Sequence, residues 1–371
     1  MFEHEPVRCE MRELALALIF ITTLGGCSTM AYYRHAFTGQ LEIWRNQESI
    51  EVLLEDDTLS PTLREKLNYA VNARDFAFER LALPDNGSYR DFVDLKRDFV
   101  VWNVFATPEL SLTPLDWCYP FAGCFGYRGF FDEDRAMRRA EALGKEGFEV
   151  YVGGVSAYST LGWLDDPVLS SILNREKPRI AEIIFHELAH QRLYVKDDTT
   201  FNESFAMTVA TAGLRLWIPI QTGNLAEIAE GQQRERDFIK LILRFRGKLE
   251  TLYSSDEPDD KKRTTKRSIY TELIAEYRLL KGTWNGDSSY DEWMWTDLNN
   301  AKIASISTYH DHANAFMSIL ERYEYDFTAF YNAVENLAAL QPVERTACLN
   351  ALSKGMDVKR ACSMVVGLAQ P

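Results

Sequence analysis

The tightest constraint on the fold is a five-residue pattern, His186-Glu187-Leu188-Ala189-His190, set inside an apolar helical repeat. Two histidines four apart lie on one face of a helix, so both imidazoles can reach a single metal ion. Ile180, Ile183, Ile184, Leu188 and Leu193 keep helical spacing around them, and Pro178 suits a first helical turn. Glu187, one residue past the first histidine, is placed to take a proton from a water at that metal. The competing expectation, an exposed charged helix with two ordinary histidines, sits poorly with the apolar flanks.

Two histidines leave a catalytic zinc one protein ligand short, because such sites usually carry three plus a water. No histidine follows until His310, so Glu203 in Phe201-Asn202-Glu203-Ser204 is the expected third donor. A chain reversal over Lys196–Thr200 would return its carboxylate to the histidine pair. There is a specific rival. Thr200 and Glu203 have S/T-x-x-E spacing, so Glu203 could be spent in a capping box. If Asp198 or Thr199 caps the next helix instead, Glu203 stays free. One Zn2+ ion is expected, held by His186, His190 and Glu203.

The 371 residues carry a formal net charge of −14 and a pI near 5.0, which argues against nucleic-acid binding. Leu14–Leu24 is an apolar run too short to span a bilayer and suited to a signal-peptide core. Leu24-Gly25-Gly26-Cys27 follows directly and resembles the lipobox of bacterial lipoproteins. That resemblance implies cleavage before Cys27 and lipidation of its thiol. Glu3, Glu5 and Glu10 are out of place in such a leader, so translation starting at Met11 is also considered. With Cys9 removed and Cys27 lipidated, Cys118, Cys124, Cys348 and Cys362 remain. An even set in an exported chain suggests two disulfides, with three connectivities open. Proximity favours Cys118–Cys124 and Cys348–Cys362.

The periodicity predicts an α+β, helix-rich fold. Helices are expected over Gln40–Leu83 with a break at Ser60-Pro61, then strands at Phe99–Phe105 and Phe148–Val155 around a helix at Asp132–Gly144. Beyond Phe205 the pattern is almost wholly helical, with Leu298–Tyr323 read as one helix and Lys281–Trp295 as a loop. The charge run Asp256–Arg267 is expected to be a solvated connection between helices. Four segments follow: 1–26 as signal peptide, 27–90 as lipid anchor and N-terminal helical segment, 91–220 as catalytic core, and 221–371 as a helical C-terminal region.

The His186-Glu187-x-x-His190 pattern with a glutamate on the next helix is similar to the gluzincins, the thermolysin-like zinc peptidases. More closely, HELAHQRLYVKDDTTFNESFA, WCYPFAGCFGYRGF, GGVSAYSTLGW and LNNAKIASISTYH resemble a family of bacterial lipoprotein-type predicted aminopeptidases. The resemblance implies a zincin-like core and a peptide substrate attacked by zinc-bound water with Glu187 as base. It also implies substrate backbone laid along an edge strand near Gly154, Ala157 and Tyr158. An oxyanion stabiliser would come from the C-terminal helical part, where Tyr309 and His312 share a helical face. Thermolysin-like enzymes carry an aspartate four residues after the glutamate ligand; here that position is Met207. Asp197 or Asp198 could orient a zinc histidine in its place, or could simply cap a helix. The expected protein is an outer-membrane lipoprotein facing the periplasm and acting as an aminopeptidase. A metalloendopeptidase, or an envelope-assembly lipoprotein without turnover, is the alternative. The oligomeric state is left open.

Overall fold

The computed structural model describes residues 31–119, 123–221, 225–356 and Cys362. The expected signal peptide and the lipidation site at Cys27 lie outside the described residues. The chain divides into two units, residues 1–47 and 48–371, and the boundaries expected at 90 and 220 fall inside the second. In the first unit residues 31–45 form helix α1.

The second unit begins with β1 (Glu48–Ser49), α2 (Ile50–Glu55) and the long α3 (Pro61–Leu81). Ser60 caps α3 by accepting a hydrogen bond from Leu63 N, and Pro61 takes the first position, where its missing N–H costs nothing. Next come β2 (Asp91–Val93), β3 (Val101–Thr107), the hairpin β4 (Trp117–Tyr119) and β5 (Gly123–Phe125), and β6 (Arg128–Phe130). Helix α4 (Glu133–Lys145), capped by Asp132, leads into β7 (Glu149–Val155). Strand β3 is the centre of an antiparallel sheet ordered β6-β3-β7, which leaves β7 at an edge. A smaller sheet joins β1 and β2 antiparallel, with β8 (Val168–Leu169) parallel to β2. Cys118 and Cys124 stand directly opposite in the β4–β5 register and are bonded, with sulfurs 2.00 Å apart. Cys348 and Cys362 are also paired, at 1.92 Å.

A short α5 (Ser170–Leu173) precedes α6 (Lys177–Arg192) and α7 (Thr199–Trp217), which pack against each other and against α3. Phe76, Phe185 and Trp217 form the aromatic junction of these three helices, with ring centroids 5.0–6.5 Å apart. The approach is close because Gly213 has no side chain: a Cβ there would stand 2.6 Å from Leu81 Cδ1. Beyond α7 the chain is helical: α8 (Leu225–Tyr253), α9 (Asp259–Gly282), α10 (Asp291–Trp295), α11 (Asn300–His310), α12 (Ala313–Arg322), α13 (Phe327–Ala338) and α14 (Pro342–Ser353). A second core gathers Phe238, Ile242, Phe245 and Leu249 of α8 with Leu273 and Tyr277 of α9 and Ile303 of α11. The fold is α+β with helices dominant.

Three expectations need correction. The charge run is mostly the N-terminal half of α9, and Lys266 within it is only 6% exposed, paired with Glu149 of β7 and donating to Glu109 O at 2.7 Å. A lysine side chain can take such a place because its stem is apolar and its head finds an acceptor. The segment read as a loop up to Trp295 contains α10. The single helix expected over Leu298–Tyr323 is two, broken at Asp311-His312, where Asp311 is held 3.1 Å from Arg246 of α8.

Candidate metal centre

Helix α6 is buried along most of its length, from Ile180 to His190, so its histidines point into protein rather than water. At its end Leu193 turns extended, and the connection to α7 is pinned by Asn202. The Asn202 side chain accepts from Val195 N and donates to Val195 O, both at 2.7 Å, a two-point clamp on the turn. Asp197 adopts φ 64° there and accepts from Cys124 N at 2.7 Å, which docks the β5 strand on the turn. Gly123 lets the strand come that close, since a Cβ would meet Asp197 Oδ1 at 2.6 Å.

The capping question has a clear answer. Asp198 is the N-cap of α7, accepting from Phe201 N at 3.0 Å, so Glu203 lies two residues past the capping-box position. The second oxygen of Asp198 is held by Arg345 of α14 through Nε at 2.9 Å and Nη2 at 2.8 Å. Neither aspartate is bonded to a histidine of the site. Among the described residues, the Nδ1 atoms of His186 and His190 are buried without a hydrogen-bond partner.

Freed from capping, Glu203 turns its carboxylate to the α6 histidines. Its Oε2 stands 3.2 Å from His186 Nε2 and 3.5 Å from His190 Nε2, and the two Nε2 atoms are 3.1 Å apart. Ligands about 2.0 Å from a tetrahedral zinc would be separated by roughly 3.3 Å, so this donor set fits such an ion. All three side chains are buried. Burial alone would favour a neutral Glu203, but the positive field of His190 and hydrogen bonds from both histidines outweigh it and hold the carboxyl well below the usual range. Burial lowers the affinity of His190 for a proton, and the Glu203 carboxylate more than reverses this. The other Glu203 oxygen accepts from Tyr127 Oη at 3.2 Å. Burial, then the charge of Glu203, pushes the Tyr127 hydroxyl far above its ordinary range, so it remains a donor.

Glu187 faces the adjoining cleft, a space of about 570 Å³ lined also by His186, Tyr309 and the β7 residues Gly153 to Val155. Burial is the main force raising its pKa, opposed by the two histidines. The cleft is lined by paired residues of β3 and β7, Asn103 with Gly153 and Phe105 with Tyr151, so it lies over one face of this sheet. Gly154 has no room for a side chain, since a Cβ would press within 2.4 Å of the Phe99 ring.

The expected site residues divide clearly. His186, Glu187, Gly154, Ala157 and Tyr309 line one cleft, with His190 and Glu203 directly behind it. Tyr309 lies with its ring 6.1 Å from that of His186, and its hydroxyl is kept protonated by burial and by Glu203 and Glu187. Tyr158 and His312 are not part of the lining. Tyr158 turns its ring edge-on to Phe131 at 5.5 Å. His312 falls after the end of α11, with ψ 3°, and its backbone N–H donates to Ser204 Oγ at 3.2 Å. The helix break thus brings His310 to the cleft rather than His312; burial, Arg179 and His186 push its pKa down to about 4, so it is neutral at pH 7.

Helix α11 is itself fixed by its start. Asn299 caps it and donates to Val150 O of β7 at 3.0 Å, while buried Asn300 donates to Glu109 O and Ser111 O and accepts from Tyr253 and Tyr270. Further cleft residues were not marked by any motif: Arg179, Glu182, Glu235 and Tyr290. Glu182 alone had a signal, lying four residues before His186 on the same helical face. Tyr127 had none beyond its place in the family-like stretch WCYPFAGCFGYRGF, after the Cys124 disulfide.

No curated protein and no solved structure matches this sequence. Residues 31–349 match the family described as "Putative aminopeptidase", a span that includes α6, α7, β7 and α11, and the chain belongs to that family.

Proposed function

We propose that the protein is a zinc-dependent peptidase with a zincin-like core, which favours substrates with a free amino terminus. The observation that carries this is the convergence of His186, His190 and Glu203 donor atoms within 4.8 Å of one another, beside a cleft that also holds Glu187. A zinc ion bound there would polarise the scissile carbonyl and lower the pKa of an attacking water. Glu187 takes the proton of that water and passes it to the leaving amine, a role open to a carboxylate on the cleft wall beside the histidines. Tyr309 supplies a protonated hydroxyl on the same wall of the cleft and would donate to the developing oxyanion; Tyr127 is already committed to Glu203. The β7 residues Gly153 to Val155 line the cleft and would offer backbone groups to an extended peptide.

The same proposal places the mature chain on a lipid at Cys27, on the periplasmic face of the outer membrane. Among the described residues no helix is long and apolar enough to cross a membrane. Globomycin-sensitive processing of the precursor, together with a lipid mass on Cys27, would test that part. The chemistry is tested by Glu187→Gln. The variant should bind zinc one-to-one and lose about a thousandfold in kcat on a peptide library, within the range for removing a general base. Turnover within tenfold of the parent would exclude this role for Glu187.

A further inference from the structure

The cleft continues past Glu187 toward an end that the catalytic groups do not use. Three segments meet there: Arg179 and Glu182 of α6, Glu235 and Phe238 of α8, and the Tyr290 to Trp293 stretch at α10. Arg179 Nη1 bonds Glu182 Oε2 at 2.6 Å and stands 4.0 Å from Glu235 Oε1. Two carboxylates share the Arg179 guanidinium, with Arg236 a further positive charge acting on Glu235. Glu182 is 8% exposed and satisfied by Arg179; Glu235 is the half-exposed member and keeps the weaker partner. Burial, then the charge of Glu182, raises the pKa of Glu235 against the opposing charges of Arg179 and Arg236.

Aromatic rings point to the same ligand charge. Phe238 stacks on Tyr290 with centroids 4.1 Å apart and meets Trp293 edge-on at 5.2 Å, and all three line the cleft. Lys302 Nζ already lies 5.2 Å over the Trp293 ring, so this aromatic wall accommodates an ammonium group where an anion would be repelled. A substrate carboxylate here would confront both glutamates.

Distance completes the case. Glu182 precedes His186 by four residues, about 6 Å along a helix. In a peptide the α-nitrogen lies only about 2.5 Å from the carbonyl carbon of its own residue, and a charge-assisted hydrogen bond adds about 2.8 Å. A terminal residue whose carbonyl sits at the histidine pair therefore brings its amine toward Glu182, whose partner Arg179 stands 4.0 Å from Glu235. An internal residue would bring a neutral amide and further chain.

We propose that Glu235, with the Arg179–Glu182 pair behind it and the Tyr290 and Trp293 rings beside it, binds the free α-ammonium group of the substrate. This rests on the peptidase reading of the cleft and assigns its preference for a free amino terminus to one side chain. Glu235 is then a specificity residue, and the Arg179–Glu182 pair positions it.

The test compares one peptide with a free and an N-acetylated amino terminus on the zinc-loaded full chain. Acetylation should lower kcat/KM at least about a hundredfold. Glu235→Gln should raise KM for the free peptide about tenfold, leave kcat nearly unchanged, and leave the acetylated peptide unaffected. Equal cleavage of both peptides by the parent, or an unchanged free-to-acetylated ratio in Glu235→Gln, would overturn the proposal while sparing the peptidase reading. Should no peptide be hydrolysed, calorimetric titration of the same two peptides still decides the matter. Tighter binding of the free form that Glu235→Gln removes would support the site, and equal binding would refute it.

Discussion

The two ends of the cleft are built in opposite ways. At the histidine end, four functional side chains come from eighteen consecutive residues on two adjoining helices, and His186, His190 and Glu203 are each less than a tenth exposed. At the Glu235 end, the groups come from three segments, with Arg179 and Glu235 side chains 48% and 39% exposed. A reaction centre needs fixed atoms in a dry place, which one helical hairpin can supply. A recognition end works through charge and ring faces, tolerates water, and can be gathered from distant parts of the chain.

The contrast breaks most sharply on metal. Glu203→Ala should lower zinc affinity far beyond the ~100-fold that losing an outer partner typically costs, with peptide turnover vanishing in parallel. Glu235→Gln should leave zinc content unchanged. Metal analysis after dialysis against a weak chelator reads both. A full zinc complement in Glu203→Ala would remove Glu203 from the ligand set, and zinc loss in Glu235→Gln would merge the two ends into one.

The same contrast explains what could be read before the fold was known. His186, Glu187 and His190 announce themselves because helical spacing is a local property, and the Cys118–Cys124 pair because its partners face each other across one hairpin. Glu203 was poised between ligand and capping box, and one hydrogen bond, Asp198 to Phe201 N, decides it. Long-range packing decides the rest. Nothing in Asp311-His312 warns of a helix break whose setting includes Arg246, some sixty residues earlier. Lys266 looks like any lysine in a charge run until Glu149 and Glu109 O are found around its head. Asn300 reads as an ordinary N-terminal helical residue, yet it ties α11 to the loop after β3 and to two tyrosines. Helix α14 did carry a signal, Pro342 with Glu344 after Gln341, and its capping box is formed.

Rigidity at the histidine end depends on support from outside the hairpin, and Asp198 is where that support attaches. Its side chain caps α7 and holds Arg345, whose own side chain is 5% exposed. Asp198→Ala should cost about 3 kcal/mol of unfolding free energy, by stranding a buried guanidinium and losing a cap. Glu141→Ala, which removes the exposed Glu141–Lys145 pair on α4, should leave stability nearly unchanged. Denaturant titrations of the two variants would separate a site braced through α14 from one that stands on α6 and α7 alone. Equal, small losses would favour the latter.

The smallest expected effect tests how far that fixed geometry reaches into the chemistry of the ligands. Tyr127 donates to the Glu203 oxygen that does not face the histidines, an arrangement that orients the carboxylate and spreads its charge. Tyr127→Phe removes one oxygen and keeps the ring against Phe105 and Phe125, whose centroids lie 5.3 and 5.9 Å away. Packing should survive, so the melting temperature of the metal-free protein should hardly move. Zinc affinity should fall about tenfold, the lower range for losing a partner of a metal ligand. The Glu235 end shares no hydrogen bond with Tyr127, so the preference for free over acetylated peptides should be retained. Unchanged zinc affinity would mean that the histidine end is held by α6 and α7 without help from the segment after the disulfide. A fall in both zinc affinity and amine preference would show that the ends are mechanically coupled, because the one element they share is α6.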